Sequence, residues 1–386
     1  MYKKNYSFYL ILSLSYLLDS ILNIGLIWIT LETMGSTLYL GIILSLSAFI
    51  PFFATRYLKN KIKFDIKYLS IFRIIIFAYI SVFILIFNAI NLVSFLNIAI
   101  LLGINNFLCM STYQIENTKL VSNKLISKSY AAKYFQSSIQ FGAFIGSFLG
   151  TFLLNYIKFD SLIHFTSICI ILISINVILL NKNEDKSKIS IEKDTLEEIE
   201  VSSNKKVKKT KDYTELILLF SLIGFHIGTF NMVIPVIFQR INNWNSMYFG
   251  VVDALAGIGS LLAVFIKQSR KRALLLSLML ILIDIVLGYS NIYIMTALAT
   301  FFTGFCISYI SIMIRELIIT LSIDNYTSNY ISNETTLYYN ISTGISPILI
   351  SLIISDFGFG IMSSRYILFI IAILIFIILY VKKEKN

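Results

Sequence analysis

Apolar residues run almost unbroken through two long stretches of this chain, residues 1–180 and 214–386, with a single polar stretch between them. Within each stretch, short polar turns recur about every 20 residues, the length that carries an α-helix across a bilayer. The pattern predicts twelve membrane-spanning helices, at roughly 6–30, 37–57, 66–89, 92–115, 134–157, 161–181, 214–240, 246–267, 273–290, 292–321, 334–355 and 363–381. A soluble chain has no means of burying this much apolar surface, so lipid is the solvent for both halves. The expected class is all-α and integral to the membrane, with 1–180 and 214–386 as two six-helix bundles and 181–213 as a charged cytoplasmic linker. The first apolar run extends from near Tyr6 to Thr30. It is too long for a signal-peptide core and lacks a small-residue cleavage site, so it reads as a span.

Composition agrees with that reading: 57% of the 386 residues are hydrophobic, and the mean hydropathy is +0.80. The net charge of +11 raises the question of nucleic acid, but its distribution argues against that partner. The linker holds 9 lysines and 8 carboxylates, a balance of 9 − 8 = +1. The excess lies instead in short turns between spans. With the N-terminus placed in the cytoplasm, the inner segments carry 29 Lys and Arg, and the outer ends carry 3, namely Lys158, Arg240 and Arg365. This bias predicts that both termini and the linker are cytoplasmic, in a cell-membrane protein. Cys109, Cys169 and Cys306 all fall within apolar runs without metal-ligand spacing, and read as structural thiols. No cofactor or metal is expected, and a monomer is. In the linker, 205–209 is a lysine-rich tract suited to resting on anionic lipid.

The halves echo each other. Tyr39-Leu40-Gly41 opens the second span and Tyr248-Phe249-Gly250 the eighth, 209 residues later. Each follows a short turn containing serine and each span ends in a basic loop. Phe107 and Cys109 in span four have counterparts in Phe305 and Cys306 of span ten, and the glycines of span five in Gly344 and Pro347 of span eleven. Two six-helix repeats related by an axis along the membrane normal would produce this layout.

The whole chain resembles the major facilitator superfamily, and within it the macrolide-efflux-like branch of drug:proton antiporters. The first hairpin carries the resemblance: Asp19-Ser20, Trp28, Gly35-Ser36 and Leu40-Gly41 stand in the order usual in that branch, with Pro51 and Arg73 following. The family's glycine-rich antiporter motif in span five is represented by Gly146 to Thr151, which keeps both principal glycines and lacks the proline and the last glycine. Asn60-Lys61 stands where the family carries an Asp-Arg pair after span two, so a gating salt bridge there is not carried over. The resemblance implies alternating access, with spans one, four, seven and ten lining the cavity.

Ionisable groups inside spans are costly, at about 2.5–3.5 kcal/mol each on insertion scales, and so mark function. They are Asp19, Glu116, His164, His226, Asp253, Asp284, Arg315 and Glu316, with Arg73 near a span end. Five of the eight lie on the cavity-lining spans that the resemblance implies. Asp19, Glu116 and Glu316 are the candidate proton-coupling carboxylates. For Asp19 the plainer alternative is a structural carboxylate bonded to a neighbouring helix. Asn23, Asn106, Tyr113, His226, Asn231, Tyr309 and Arg315 are candidate cargo-binding residues, and a cross-helix pair of Arg315 with Glu116 is conceivable. The spacing of Gly142, Gly146 and Gly150 places them on one helix face, where a neighbour can approach closely. Asp284, on a usually peripheral span, has no evident role in the sequence.

The chain contains no Gly-x-x-x-x-Gly-Lys phosphate loop, metal cluster or nucleophile elbow. The expectation is therefore a non-enzyme: a secondary transporter exporting an amphipathic small molecule against protons. The alternatives are uptake of a sugar, peptide or organic anion, a membrane enzyme, and a membrane sensor or scaffold.

Overall fold

The computed structural model describes residues 2–58, 65–87, 90–122, 125–181, 211–320, 325–355 and 358–384. Nearly all of the 181–213 linker, including its lysine tract, and Asn60-Lys61 lie outside the described residues. Twelve long α-helices run in order: α1 (Tyr2–Met34), α2 (Thr37–Leu58), α3 (Ile66–Phe87), α4 (Leu92–Ser122), α5 (Lys128–Leu154), α6 (Phe159–Asn181), α7 (Lys211–Val236), α8 (Ser246–Ala263), α9 (Arg270–Tyr289), α10 (Tyr293–Thr320), α11 (Asn325–Ile354) and α12 (Ser364–Glu384). Among the described residues eleven are long and apolar enough to span a membrane, and α2 contributes a shorter apolar stretch, Thr37–Phe53. The chain is a multi-pass membrane protein.

Local chemistry sets the breaks between helices. Gly35 takes φ +66 between α1 and α2, a left-handed turn that a side chain would strain. Asn245 caps α8 by accepting from the Tyr248 backbone N–H at 3.3 Å, and Ser127 caps α5 by accepting from Tyr130 at 3.4 Å. Pro235 ends the regular part of α7, and Ile237–Ile241 continues as a π-helical turn closed by Asn242 N–H to the Ile237 carbonyl.

Each half repeats one packing scheme. In the first, α1 lies on α5, α2 on α4 and α3 on α6; in the second, α7 lies on α11, α8 on α10 and α9 on α12. The halves meet through α2 with α11 and α5 with α8, two contacts that exchange with each other when the repeats are swapped. This is the two-fold layout expected of six-helix repeats. In each half the pairing of first and fifth helices needs small residues. Gly142, Gly146 and Gly150 of α5 lie against α1, where a Cβ on Gly146 would collide with the Leu17 carbonyl and with Ser20 Cβ at 2.8 Å. In the second half the glycines sit on the other partner: Gly224 and Gly228 of α7 face Tyr339, Thr343 and Ser346 of α11.

Lipid takes the outer faces. Helix α3 buries Leu69, Arg73, Ile76, Phe77, Ile80 and Ile84, and leaves Ile75, Tyr79, Val82 and Leu85 exposed on the opposite face. One apolar core is confined to residues of α1–α6. Another fills α7–α12 and takes in Ile24, Trp28, Leu31 and Leu40 from the first half. The Trp28 ring stacks on Phe249 at 5.8 Å. The halves are thus welded at the end of the bundle that carries the α1–α2 and α7–α8 turns.

Candidate functional site

A cavity of about 170 Å³ lies between α1 and α4, lined by Tyr16, Asp19, Ser20, Asn23, Leu102, Asn105 and Asn106. Every lining residue except Leu102 carries a polar side-chain group. Helical spacing puts Tyr16, Asp19, Ser20 and Asn23 on one face of α1. Three of the residues singled out from the sequence, Asp19, Asn23 and Asn106, meet here.

Asp19 does not stand alone. Arg73 donates from one guanidinium nitrogen to Asp19 Oδ1 at 2.8 Å and from the other to Cys109 Sγ at 2.9 Å. Both charged side chains are largely buried, at 5% and 12% exposure for Arg73 and Asp19. Helices α1 and α3 share no extended contact among the described residues, so the arginine reaches Asp19 past α4. Phe77, one turn on, lies under the guanidinium at 5.8 Å. Asn105 accepts from the Cys109 thiol at 3.6 Å, and its side-chain amide faces the Asp19 carboxylate. Below the pair, Tyr113 is buried and its hydroxyl shares a 2.8 Å bond with Ser15.

The remaining candidates fall elsewhere. Glu116 accepts from Lys119 at 2.7 Å in a partly exposed pair one turn long, so the conceivable Arg315–Glu116 pair is not formed. Arg315 sits over the Phe220 ring at 5.3 Å, and Glu316 is exposed beside it. Asn231 is exposed on α7. Tyr309 is fully buried, and its hydroxyl donates to the Lys267 carbonyl at 3.0 Å and accepts from the Ser269 N–H at 2.8 Å, bracing the α8–α9 turn. His226 is fully buried and bonded to Asp284 Oδ2 at 2.8 Å. Asp284 therefore has the partner that the sequence did not suggest, on α7. Asp253 of α8 bonds to Ser147 of α5, across the boundary between the halves.

A larger cavity of about 390 Å³ opens between the halves where they are welded, lined by Trp28, Glu32, Asn155, Gln239, Arg240 and Trp244 among others. Arg240 donates to the Leu31 carbonyl at 2.6 Å, near the C-terminus of α1, where the helix dipole favours a cation. Ser246 donates to the Thr151 carbonyl at 3.2 Å, and Ile348 N–H, next to Pro347, donates to Ser45 at 3.1 Å. At the opposite end, where Glu116 and Glu316 lie, α4 and α10 make no extended contact among the described residues.

Arg73 and Asp284 were the functional candidates least visible in sequence. In the sequence Arg73 reads as a charge near a span end and as one of the residues of the family resemblance. The available signal was that it stands two turns inside α3, on the face that alternates with the lipid-facing residues.

No family model and no curated protein matches the chain. Solved structures do. The chain is similar to a bacterial homologue of the human lysosomal transporter Spinster in an inward-facing, occupied conformation, with TM-score 0.68 and 11% identity over 98% of this chain and 96% of that one. It is also similar to the nucleoside transporter NupG, with TM-score 0.67 and 12% identity over 97% and 98%. A bacterial metal transporter gives TM-score 0.70 and 11% identity over 97% and 96%. At such identity the likeness establishes the fold: this chain has the major facilitator fold, in two six-helix repeats.

Proposed function

We propose that this protein is a secondary active transporter that works by alternating access and exports an amphipathic small molecule in exchange for protons. The observation that carries this reading is the buried Asp19–Arg73 ion pair in the wall of the polar cavity between α1 and α4. A buried ion pair is a costly element to keep in an apolar half unless it is used. Protonation of Asp19 removes its charge and frees Arg73, which changes what the cavity wall offers to cargo. Asn23 and Asn106 supply hydrogen bonds to that cargo. Glu116 and Glu316 stand at the open end, where protons leave toward the cytoplasm.

In the proposed orientation the weld between the halves lies on the outer side, so the α1–α4 cavity communicates with the cytoplasm. Rocking of the halves about the α2–α11 and α5–α8 contacts would expose it outward. The protein works as a monomer in the cell membrane, with both termini cytoplasmic. A second reading, proton-coupled uptake of a small polar solute, draws on the carboxamides of Asn23, Asn105 and Asn106 and the hydroxyls of Tyr16 and Ser20 in the cavity wall.

The test uses inverted membrane vesicles with an imposed proton gradient and ethidium as an amphipathic probe, beside a growth-inhibition panel in cells lacking other exporters. Proton-driven accumulation of ethidium is expected with the wild-type chain. With Asp19→Asn only downhill flux should remain, and Asp19→Glu should recover part of the drive. Full drive in Asp19→Asn would remove this residue from the coupling. Protection against no compound in the panel would remove export.

A further inference from the structure

The second half carries its own buried ionisable pair, on the helices that correspond to those of the first. Asp19 and Arg73 lie on α1 and α3, beside Cys109 of α4. His226 and Asp284 lie on α7 and α9, beside Cys306 of α10. The order of charge is reversed: the acid is on the first helix of one half and on the third helix of the other. We infer that the His226–Asp284 pair is a proton-binding site and that it holds one proton in the conformation seen here.

The argument is charge balance in a medium that does not tolerate net charge. Aspartate with arginine is neutral without any added proton, because the guanidinium is always charged. Histidine with aspartate is neutral only when the pair carries one proton, either as imidazolium with carboxylate or as imidazole with carboxylic acid. Both side chains are at the floor of exposure, 1% and 0%, so water does not compensate a bare carboxylate. No other cation is placed to do so among the described residues. On α10, Cys306 is a neutral thiol beside Asp284, Tyr309 braces the α8–α9 turn, and Arg315 lies over Phe220. On α11, Tyr339 bonds to Thr343. On α12, Arg365 lies over the Tyr289 ring. On α1, Asp19 is held by Arg73. The two pairs are thus neutral in complementary ways, one proton-free and the other proton-loaded.

The site is also built to be separable. His226 lies midway between Gly224 and Gly228, which face α11 while the imidazole faces α9. The glycines let α7 lie flush on α11, and Pro235 and the π-helical turn loosen α7 about two and a half to four turns beyond His226. A shift of α7 along α11 would draw the imidazole from the carboxylate. The second nitrogen of His226 and the second oxygen of Asp284 have no partner now and would take water when the helices part. Separation then leaves each group solvated, and the shared proton departs. Use of this proton in transport rests on the coupled reading above; its presence does not.

The chain contains two histidines, so the test is direct. Protein labelled with nitrogen-15 histidine, carrying His164→Gln, is placed in lipid nanodiscs, and the His226 imidazole is followed by magnetic resonance through a pH titration. Infrared difference spectra against Asp284→Asn report the carboxyl group in parallel. The expected result at neutral pH is a doubly protonated imidazole with an ionised Asp284, or a neutral imidazole with a carboxylic acid band that Asp284→Asn abolishes. The conservative double variant His226→Gln with Asp284→Asn should bind one proton fewer per chain in a potentiometric titration. A neutral imidazole beside an ionised Asp284 at neutral pH overturns the inference, as does an unchanged proton count. If the site is loaded but a proton gradient fails to drive the wild-type protein, the coupled reading falls and this site stands.

Discussion

Asp19 and Arg73, 54 positions apart in the chain and on helices that barely meet, form a buried ion pair of 2.8 Å. The pair joins α1, which lines the cavity, to α3, whose other face is turned to lipid. It is an electrostatic strut inside the first half as well as a chemical group at the cavity wall. The two roles make different demands on mutants.

Removing one partner of such a pair leaves the other buried and uncompensated, which costs about 3–5 kcal/mol. Arg73→Gln and Asp19→Asn should each lower the thermal unfolding midpoint of the purified protein. The double variant should be more stable than the sum of the two losses implies, because no bare charge remains. Strictly additive losses in a double-mutant cycle would show that the two side chains are not energetically coupled.

The orientation can be checked with single cysteines in a background from which Cys109, Cys169 and Cys306 have been removed. Tyr156 and Phe265 are among the most exposed residues of the α5–α6 and α8–α9 turns, at 74% and 76%. Tyr156→Cys should react with an impermeant thiol reagent in intact cells, and Phe265→Cys only after permeabilisation. Reaction of both from one side would overturn the alternation of spans.

Arg240 latches the second half to the end of α1 through the Leu31 carbonyl at 2.6 Å. A hydrogen bond from a charged donor contributes about 1.5–3 kcal/mol, so Arg240→Ala should shift the balance between closed and open outer ends by about tenfold or more. The expected readout is faster labelling of Asn23→Cys by an impermeant reagent from outside. An unchanged rate would mean that Trp28 on Phe249 and Ser246 on Thr151 hold the weld alone.

A Cβ at Gly146 has nowhere to go, since the Leu17 carbonyl and Ser20 of α1 occupy the space. Gly146→Val should force α5 from α1 at a cost of about 1–3 kcal/mol or more, with loss of folded protein in the membrane fraction. Gly35→Ala has space around it, with Arg240 at 3.5 Å, but takes a positive φ; its cost is backbone strain alone and should be smaller. Equal losses from the two would contradict the close packing of α5 on α1.

The chain pattern alone determined the membrane as solvent, the number of helices and the division into halves. Span ends agree closely where a polar turn is sharp, as at 292–321 against Tyr293–Thr320. They diverge where a helix runs on past the apolar core, as at 134–157 against Lys128–Leu154. These features are local: hydrophobicity and turn chemistry act over a few residues, so a sequence displays them directly. Helical spacing also placed Asn23 on the same face as Asp19.

Only the tertiary structure decided which faces meet. Arg73 reads as a charge near a span end until α3 and α4 are packed and its long side chain reaches Asp19. Asp284 reads as an anomaly on a peripheral helix until α7 brings His226 to it. Tyr309 reads as a cavity residue until the α8–α9 turn folds over its hydroxyl, and Glu116 pairs with Lys119 on its own helix in place of Arg315. A periodicity of 3.6 residues tells which side chains share a face, but the partner of that face is set by the packing of helices far apart in the chain. In lipid the helices have no hydrophobic force to sort them, so small-residue contacts such as α5 on α1 and α7 on α11, together with buried polar pairs, make that choice.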